Sequence, residues 1–293
     1  MATLKELKTR IASVKSTEKI TRAMKLVAAA KMKRATDAAL ASRAYSDEVT
    51  AVLQSLVARV AAADHPLLKA HDEVNKVAVI VVTADRGLCG GFNNNLMRRV
   101  ENWVWEQGRD NKAFEDVELQ AFGKKAQQFF STRNFRFGRT VTELKPDQFN
   151  LEVAKLVADL KTRYESGELD EVYLAYNRFV NTLTQTPLIE KLFPLTHLAS
   201  EEASEPEHLT DFVYEPNQSV ILNEILPLFL RTRLTQVFLE SEAGEHAARM
   251  TAMDNATRNA KDVIERLSLE YNRARQAAIT TELVEIVAGA EAL

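Results

Sequence analysis

One cysteine, Cys89, stands in 293 residues. It cannot form an internal disulfide, which suits a reducing compartment, and nothing around it marks a nucleophile. Glycine and proline are scarce and unevenly placed: none precedes Pro66, the first glycine is Gly87, and none lies between Gly244 and Gly289. The histidines (His65, His71, His197, His208, His246) are scattered, without H-E-x-x-H or paired-cysteine spacing, so no metal site is expected. Acidic residues are plentiful, yet no two stand out as an acid–base couple. The longest apolar run near the middle, VAVIVV, is far too short to span a bilayer. The opening MATLKELKTR has no signal-peptide apolar core and an early acid, unlike a transit peptide. These absences point away from a secreted, metal-dependent or membrane-inserted protein, and from an enzyme working alone.

With 46% hydrophobic and 27% charged residues and a net charge of −3, the composition is that of a folded soluble chain. It favours neither a nucleic-acid binder nor an acidic disordered segment. The distribution is more informative. Residues 1–35 carry ten cations against Glu6 and Glu18, whereas the last fifteen residues carry no cation and Glu282, Glu285 and Glu291.

The breaker-free first sixty-odd residues, rich in Ala, Leu, Lys, Arg and Glu, predict one very long helix. Its apolar marks are sparse. Leu4, Leu7, Ile11 and Val14 form a seam, Ile20, Met24 and Val27 resume it after a phase shift, and Val49, Val52, Leu56 and Val60 continue it. At the other end Met253, Ala256, Ala260, Val263, Leu267, Tyr271, Ala274 and Ala278 step by three or four, with a stutter near Leu267. Two long helices pairing antiparallel are the expectation; two separate amphipathic helices are the alternative.

Between them NKVAVIVV reads as a buried strand, TADRGLCGGFN as a glycine loop and NLMRRVENWVWEQ as a helix. VELQAFG and KKAQQFFSTRN repeat strand, turn and helix; FNLEVAKLVADLKTRYESG is a further helix and DEVYLAYNRFV a further strand. SEEASEPEH reads as an exposed loop, FVYEP as an edge strand, and Pro227 should kink the helix that follows. The expected fold is therefore α/β: a small Rossmann-like domain with a largely parallel sheet, inserted between long N- and C-terminal helices forming an antiparallel coiled coil. The boundaries are 1–65, 66–216 and 217–293.

Gly87, Gly90 and Gly91 sit between strand and helix, where a phosphate could bind. Their spacing is neither G-x-G-x-x-G nor a P-loop, and a tight turn explains them without a ligand. A DNA-binding coiled coil is disfavoured because the cations interleave with seam positions that a partner helix must cover. A membrane-surface helix needs aromatic residues that the first 44 positions lack. What remains is a rod whose charged faces address protein partners.

Three stretches, KITRAMKLVAAAKMKRA, TADRGLCGGFN and ARQAAITTELVEIVAGAEA, closely resemble the gamma subunit of F-type ATP synthases, and the resemblance follows the whole chain in order. It implies a central rotor shaft inside a hexamer of three alpha and three beta subunits, seated with the epsilon subunit on the membrane c-ring. Proton flow through the ring would turn the shaft and couple to ATP synthesis or hydrolysis in the beta subunits, regulating their ATPase activity. The resemblance implies no catalytic residue and no cofactor in this chain. It places Arg275, Gln276, Thr280 and Glu282 against a beta-subunit catch loop. It also counts Met24, Lys25 and Arg249 among the beta-subunit contacts, Met24 and Lys25 in a segment packed against the C-terminal helix near Arg249, where Met24 is equally open to plain seam packing. Tyr214 and Glu215 fall at the foot, near epsilon and the ring. With Cys89 alone, the regulatory cysteine pair of chloroplast relatives is absent. The lack of a presequence favours a peripheral position on the cytoplasmic face of a bacterial plasma membrane. Two alternatives stay open: an α/β nucleotide-binding enzyme with a helical hairpin, and a nucleic-acid-binding coiled coil.

Overall fold

The computed structural model describes residues 3–57, 65–133, 135–196 and 218–291. Helix α1 (Leu4–Val57) opens on a capping box, in which the Glu6 amide donates to Thr3 Oγ1 and the Thr3 amide donates to Glu6 Oε2. Helix α5 (Gln218–Glu291) runs 74 residues with Pro227 inside it, as one element. By their internal contacts the residues fall into two units, Ala30–Ala248 and Met1–Ala29 with Arg249–Leu293. Both long helices contribute to each unit.

The larger unit is built on a five-stranded sheet in the order β3-β2-β1-β4-β5, with β1 (Val77–Val82), β2 (Glu118–Phe122), β3 (Arg136–Val141), β4 (Glu171–Phe179) and β5 (Gln185–Phe193). Three pairings are parallel; only β4 with β5 is antiparallel. The central strand, VAVIVV, is buried throughout, as a doubly covered strand must be. Ala78, Ile80 and Val82 pack with residues of α1, α4 (Pro146–Glu165) and α5; Val77, Val79 and Val81 pack with α2 (Phe92–Asp110) and α3 (Lys124–Phe130). The period of two along β1 thus divides the core into two clusters.

Two strands escape the apolar pattern. The β3 sequence RFGRTV alternates exposed and half-buried positions, and β5, QTPLIEKLF, carries Pro187. Both lie at sheet edges, where charge and proline are tolerated because one side of the backbone needs no partner. The acidic stretch, the FVYEP segment, Tyr214 and Glu215 lie outside the described residues, as do positions 58–64 at the expected end of the first helix.

In the smaller unit α1 and α5 run antiparallel: Thr21 meets Thr257 and Lys25 meets Asp254, so ascending numbers on one face descending numbers on the other. The seam corrects the sequence expectation. Ile20 and Val27 are 57% and 58% exposed, and no phase shift occurs. The covered line runs through Leu4, Leu7, Ile11, Val14, Glu18, Thr21, Lys25 and Ala28, an unbroken alternation of three and four. On α5 Thr257 is buried and Ile264 is half-buried, so the alternation continues there without a stutter. Small and polar residues occupy seam positions that an apolar reading assigns elsewhere.

Candidate functional site

The loop after β1 is braced by its own side chains. Asn93 Oδ1 accepts the Ala84 amide at 2.9 Å, while Asn93 Nδ2 donates to Cys89 Sγ at 3.2 Å. Asp85 Oδ1 accepts the Lys124 amide at 2.9 Å, and Asn177 Nδ2 donates to Phe92 O at 3.0 Å. Leu88 and Gly90 both take positive φ, and Gly91 caps α2. The glycines serve a tight turn that buries Cys89, with Asn93 spent on the Ala84 amide and the thiol and Asp85 on the Lys124 amide.

A cleft of about 470 Å³ opens near the carboxyl ends of β1 and β2, where open α/β sheets commonly take ligands. Phe122, Phe149 and Phe238 form its apolar part, and Asp85, Glu242 and Glu245 line it against Lys31, Lys145 and His246. The His246 hydrogen bond, with help from Lys31, holds the Glu242 carboxyl below its usual range. With these carboxylates set against the two lysines and His246, the cleft has no net positive field to draw a phosphate chain. Among the described residues no three His, Cys, Asp or Glu side chains gather as a metal site.

The helical pair of the smaller unit carries most of the residues singled out above. Lys25 does not stand free: its Nζ lies 2.6 Å from Asp254 Oδ1, and Asp254 Oδ2 accepts from Arg258 at 2.7 Å. The hydrogen bond from Lys25, then that from Arg258, holds the Asp254 carboxyl low. One turn away the Thr21 and Thr257 hydroxyls meet at 2.8 Å, with the Glu18 and Met253 carbonyls as further acceptors. Two hydroxyl hydrogens cannot serve three contacts at once, so the threonine that donates to the other gives up its own carbonyl bond. Met24 and Arg249 are half-buried.

Arg275, Gln276, Thr280 and Glu282 are all exposed, and within one helix they spread over about half its circumference. Among the described residues the Arg275 side chain has no hydrogen bond or ion pair, while Thr280 Oγ1 donates to its own helix at Gln276 O. Continuing the register of the two polar pairs brings the start of α1 beside Ala274. Residues 279–291 therefore extend past it for roughly 20 Å. On that extension Ile279, Leu283, Val284, Ile286 and Val287 are between 47% and 67% exposed. Asp254, Thr21 and Thr257 were missed from the sequence. The signal was present as Glu18 and Lys25 seven residues apart in a heptad seam.

A family model described as ATP synthase matches residues 3–293. An ATP synthase gamma chain of Pelotomaculum thermopropionicum is 44% identical over 294 residues, covering 100% of both chains. One from Chlorobaculum parvum is 45% identical over 297 residues, covering 100% of this chain and 99% of its own. The chain belongs to the ATP synthase gamma-chain family. A chain in the Euglena gracilis mitochondrial ATP synthase, in an assembly with the c-ring, superposes with a TM-score of 0.66 at 17% identity, covering 99% of this chain and 94% of its own. One from the central stalk and c-ring of the Tetrahymena thermophila enzyme gives 0.60 at 24% identity, covering 81% of this chain and 99% of its own. At such identities the likeness is one of fold. This gamma-family chain shares it from the α/β sheet to the terminal helices, and among its described residues no helix is long and apolar enough to cross a membrane.

Proposed function

We propose that the chain is the central rotor shaft of an F-type ATP synthase, non-catalytic by itself. One observation carries the reading: in a chain that matches gamma chains end to end, α5 runs past its partner helix with its apolar residues uncovered. Five exposed aliphatic side chains on a lone helix are costly in water and call for a surrounding sleeve. A hexamer of three alpha and three beta subunits supplies one.

Arg275, Gln276, Thr280 and Glu282 lie at the base of that extension, exposed and available to a beta subunit. Met24 and Arg249 belong to the same helical pair, and Lys25 would reach a partner only by exchanging Asp254. Tyr214 and Glu215 are assigned to the foot, with epsilon and the c-ring as neighbours. The complex is assigned to the cytoplasmic face of a bacterial plasma membrane, with this subunit peripheral. An asymmetric helical pair shows a different face to each beta subunit. Rotation couples to ATP because each orientation interacts unequally with the open and closed states of the three sites.

Reconstitution with purified alpha and beta subunits tests this. The expected result is one copy per hexamer with ATP hydrolysis restored. A chain that stays apart from a competent hexamer and leaves hydrolysis unchanged would sink the reading.

A further inference from the structure

In the larger unit, α5 meets the sheet through apolar side chains, Leu222, Leu226, Leu230, Leu234 and Val237 among them. Such contacts resist separation, but they are non-directional and resist rotation of a helix about its own axis only weakly. Beside that stripe runs a connected polar network. Arg233 donates twice to Glu190 Oε1 on β5, from Nη2 at 2.6 Å and Nε at 3.1 Å. Nη2 also lies 3.1 Å from the Tyr176 hydroxyl on β4, and Nη1 donates to Gln236 Oε1 at 3.2 Å. Gln236 Nε2 donates to Glu240 Oε1 at 3.2 Å, which accepts Arg43 of α1 at 2.9 Å. Tyr176, Gln236 and Glu240 are buried. Burial disfavours the Arg233 charge, but the Glu190 carboxylate more than offsets it, so the guanidinium stays charged.

Each of these bonds has a direction, and together they join α1, α5 and the antiparallel edge of the sheet. Rotation of α5 would strain the bonds that leave the helix, Arg233 to Glu190 and Tyr176 and Glu240 to Arg43, while the Arg233–Gln236–Glu240 bonds turn with it and hold those side chains in place. Hydrophobic replacements of the same size would hold the layers together equally well. What such replacements cannot supply is a fixed rotational setting.

We propose that the Arg43–Glu240–Gln236–Arg233–Glu190–Tyr176 network is the joint that fixes the rotation of α1 and α5 against the sheet, so that torque passes between the α/β layers and the helical pair. Arg233 and Glu190 are positioning residues in this role. Its mechanical consequence rests on the rotor-shaft reading; the rotational setting itself does not.

The test has two arms. In the isolated full chain, with Cys89→Ser, spin labels at the exposed positions Arg178 and Arg231 report the distance between β4 and α5. The native sequence should give one narrow distance. Arg233→Met with Glu190→Met should keep the melting temperature within a few degrees yet broaden or split that distance. The charge exchange Arg233→Glu with Glu190→Arg should narrow it again. A narrow distance in the Met pair overturns the inference, whether or not the melting temperature falls. Should the Met pair fail to fold, Arg233→Met alone serves. It removes every bond from α5 to Glu190 and Tyr176 while Glu190, on an edge strand, stays open to water, and an unbroadened distance there is equally fatal.

In the second arm the chain is assembled with alpha, beta, epsilon and the membrane sector in vesicles. The Met pair should retain ATP hydrolysis while proton uptake per ATP falls at least twofold. An unchanged ratio beside normal native pumping overturns the torque-bearing role alone. A native chain that supports no coupled pumping overturns the rotor-shaft reading instead.

Discussion

Replacing Gly123 by Ala puts a methyl group where the backbone has no room. Gly123 joins β2 to α3 at φ 100°, and a Cβ there would sit 2.2 Å from Thr83 O and 2.7 Å from Thr83 Oγ1. The Thr83 carbonyl belongs to the backbone and cannot swing aside. The strand ends must part by nearly 1 Å, against the Thr83 amide's 2.8 Å bond to Phe122 O and the Gly123 amide's 2.9 Å bond to Val141 O. The φ cost of a non-glycine residue is about 1–3 kcal/mol. Two weakened backbone bonds add about 1 kcal/mol each. The sum, about 3–5 kcal/mol, is a large share of a typical domain's stability. Gly167→Ala is the control, because Gly167 has φ 73° but nothing within 4 Å of a Cβ. It should cost only the φ term, about 1–2 kcal/mol. Urea unfolding of both variants, with the slope checked for constancy, separates the two contributions. Equal losses at the two glycines would refute the close-approach account.

Thr21→Val alone should weaken the helical pair by about 0.5–1.5 kcal/mol, because Thr257 keeps its carbonyl acceptor and is not orphaned. Thr21→Val with Thr257→Val should be nearly neutral, as measured by amide exchange along α5 in a double-mutant cycle. Burial lowers the pKa of His65 from its usual 6.5, and the neutral ring accepts the Leu67 amide at Nδ1 while Nε2 faces Asn223 Oδ1. Because the folded state resists protonation, this contribution is complete above pH 6.5 and is lost as pH falls through the lowered folded value. His65→Asn should flatten the stability–pH curve on the acid side of 6.5. Arg275→Ala with Gln276→Ala should leave the isolated chain within about 0.5 kcal/mol of the native one, since both are exposed. In the assembled complex the same pair should depress ATP hydrolysis.

Elements with strong single-sequence signatures were legible. VAVIVV reads as a buried strand because it is apolar on both faces, and α1 and the part of α5 beyond Gly244 read as long helices because nothing interrupts them. The continuity of α5 through Pro227 and Gly244 is visible only in the structure. β3 and β5 were not legible, because an edge strand is defined by its neighbour and RFGRTV or QTPLIEKLF carries little apolar contrast. The α1 seam was half legible. Leu4 to Val14 marks it, but Glu18, Thr21 and Lys25 are explained only by Ala260, Thr257 and Asp254 more than 220 residues away. Arg233 and Glu190, 43 residues apart, are hidden in the same way, since nothing local pairs them. Arg275 and Gln276 stand out by family resemblance alone; their exposure is visible only once α1 is seen to start beside Ala274.

The most direct test of the rotor reading is observation of rotation. With an alpha–beta hexamer fixed to a surface and a bead attached through Arg109→Cys on the exposed end of α2, ATP should drive the bead in one direction, in three equal steps per turn. Hydrolysis at full rate with a bead that shows only Brownian motion, in a complex holding one chain per hexamer, would contradict the account.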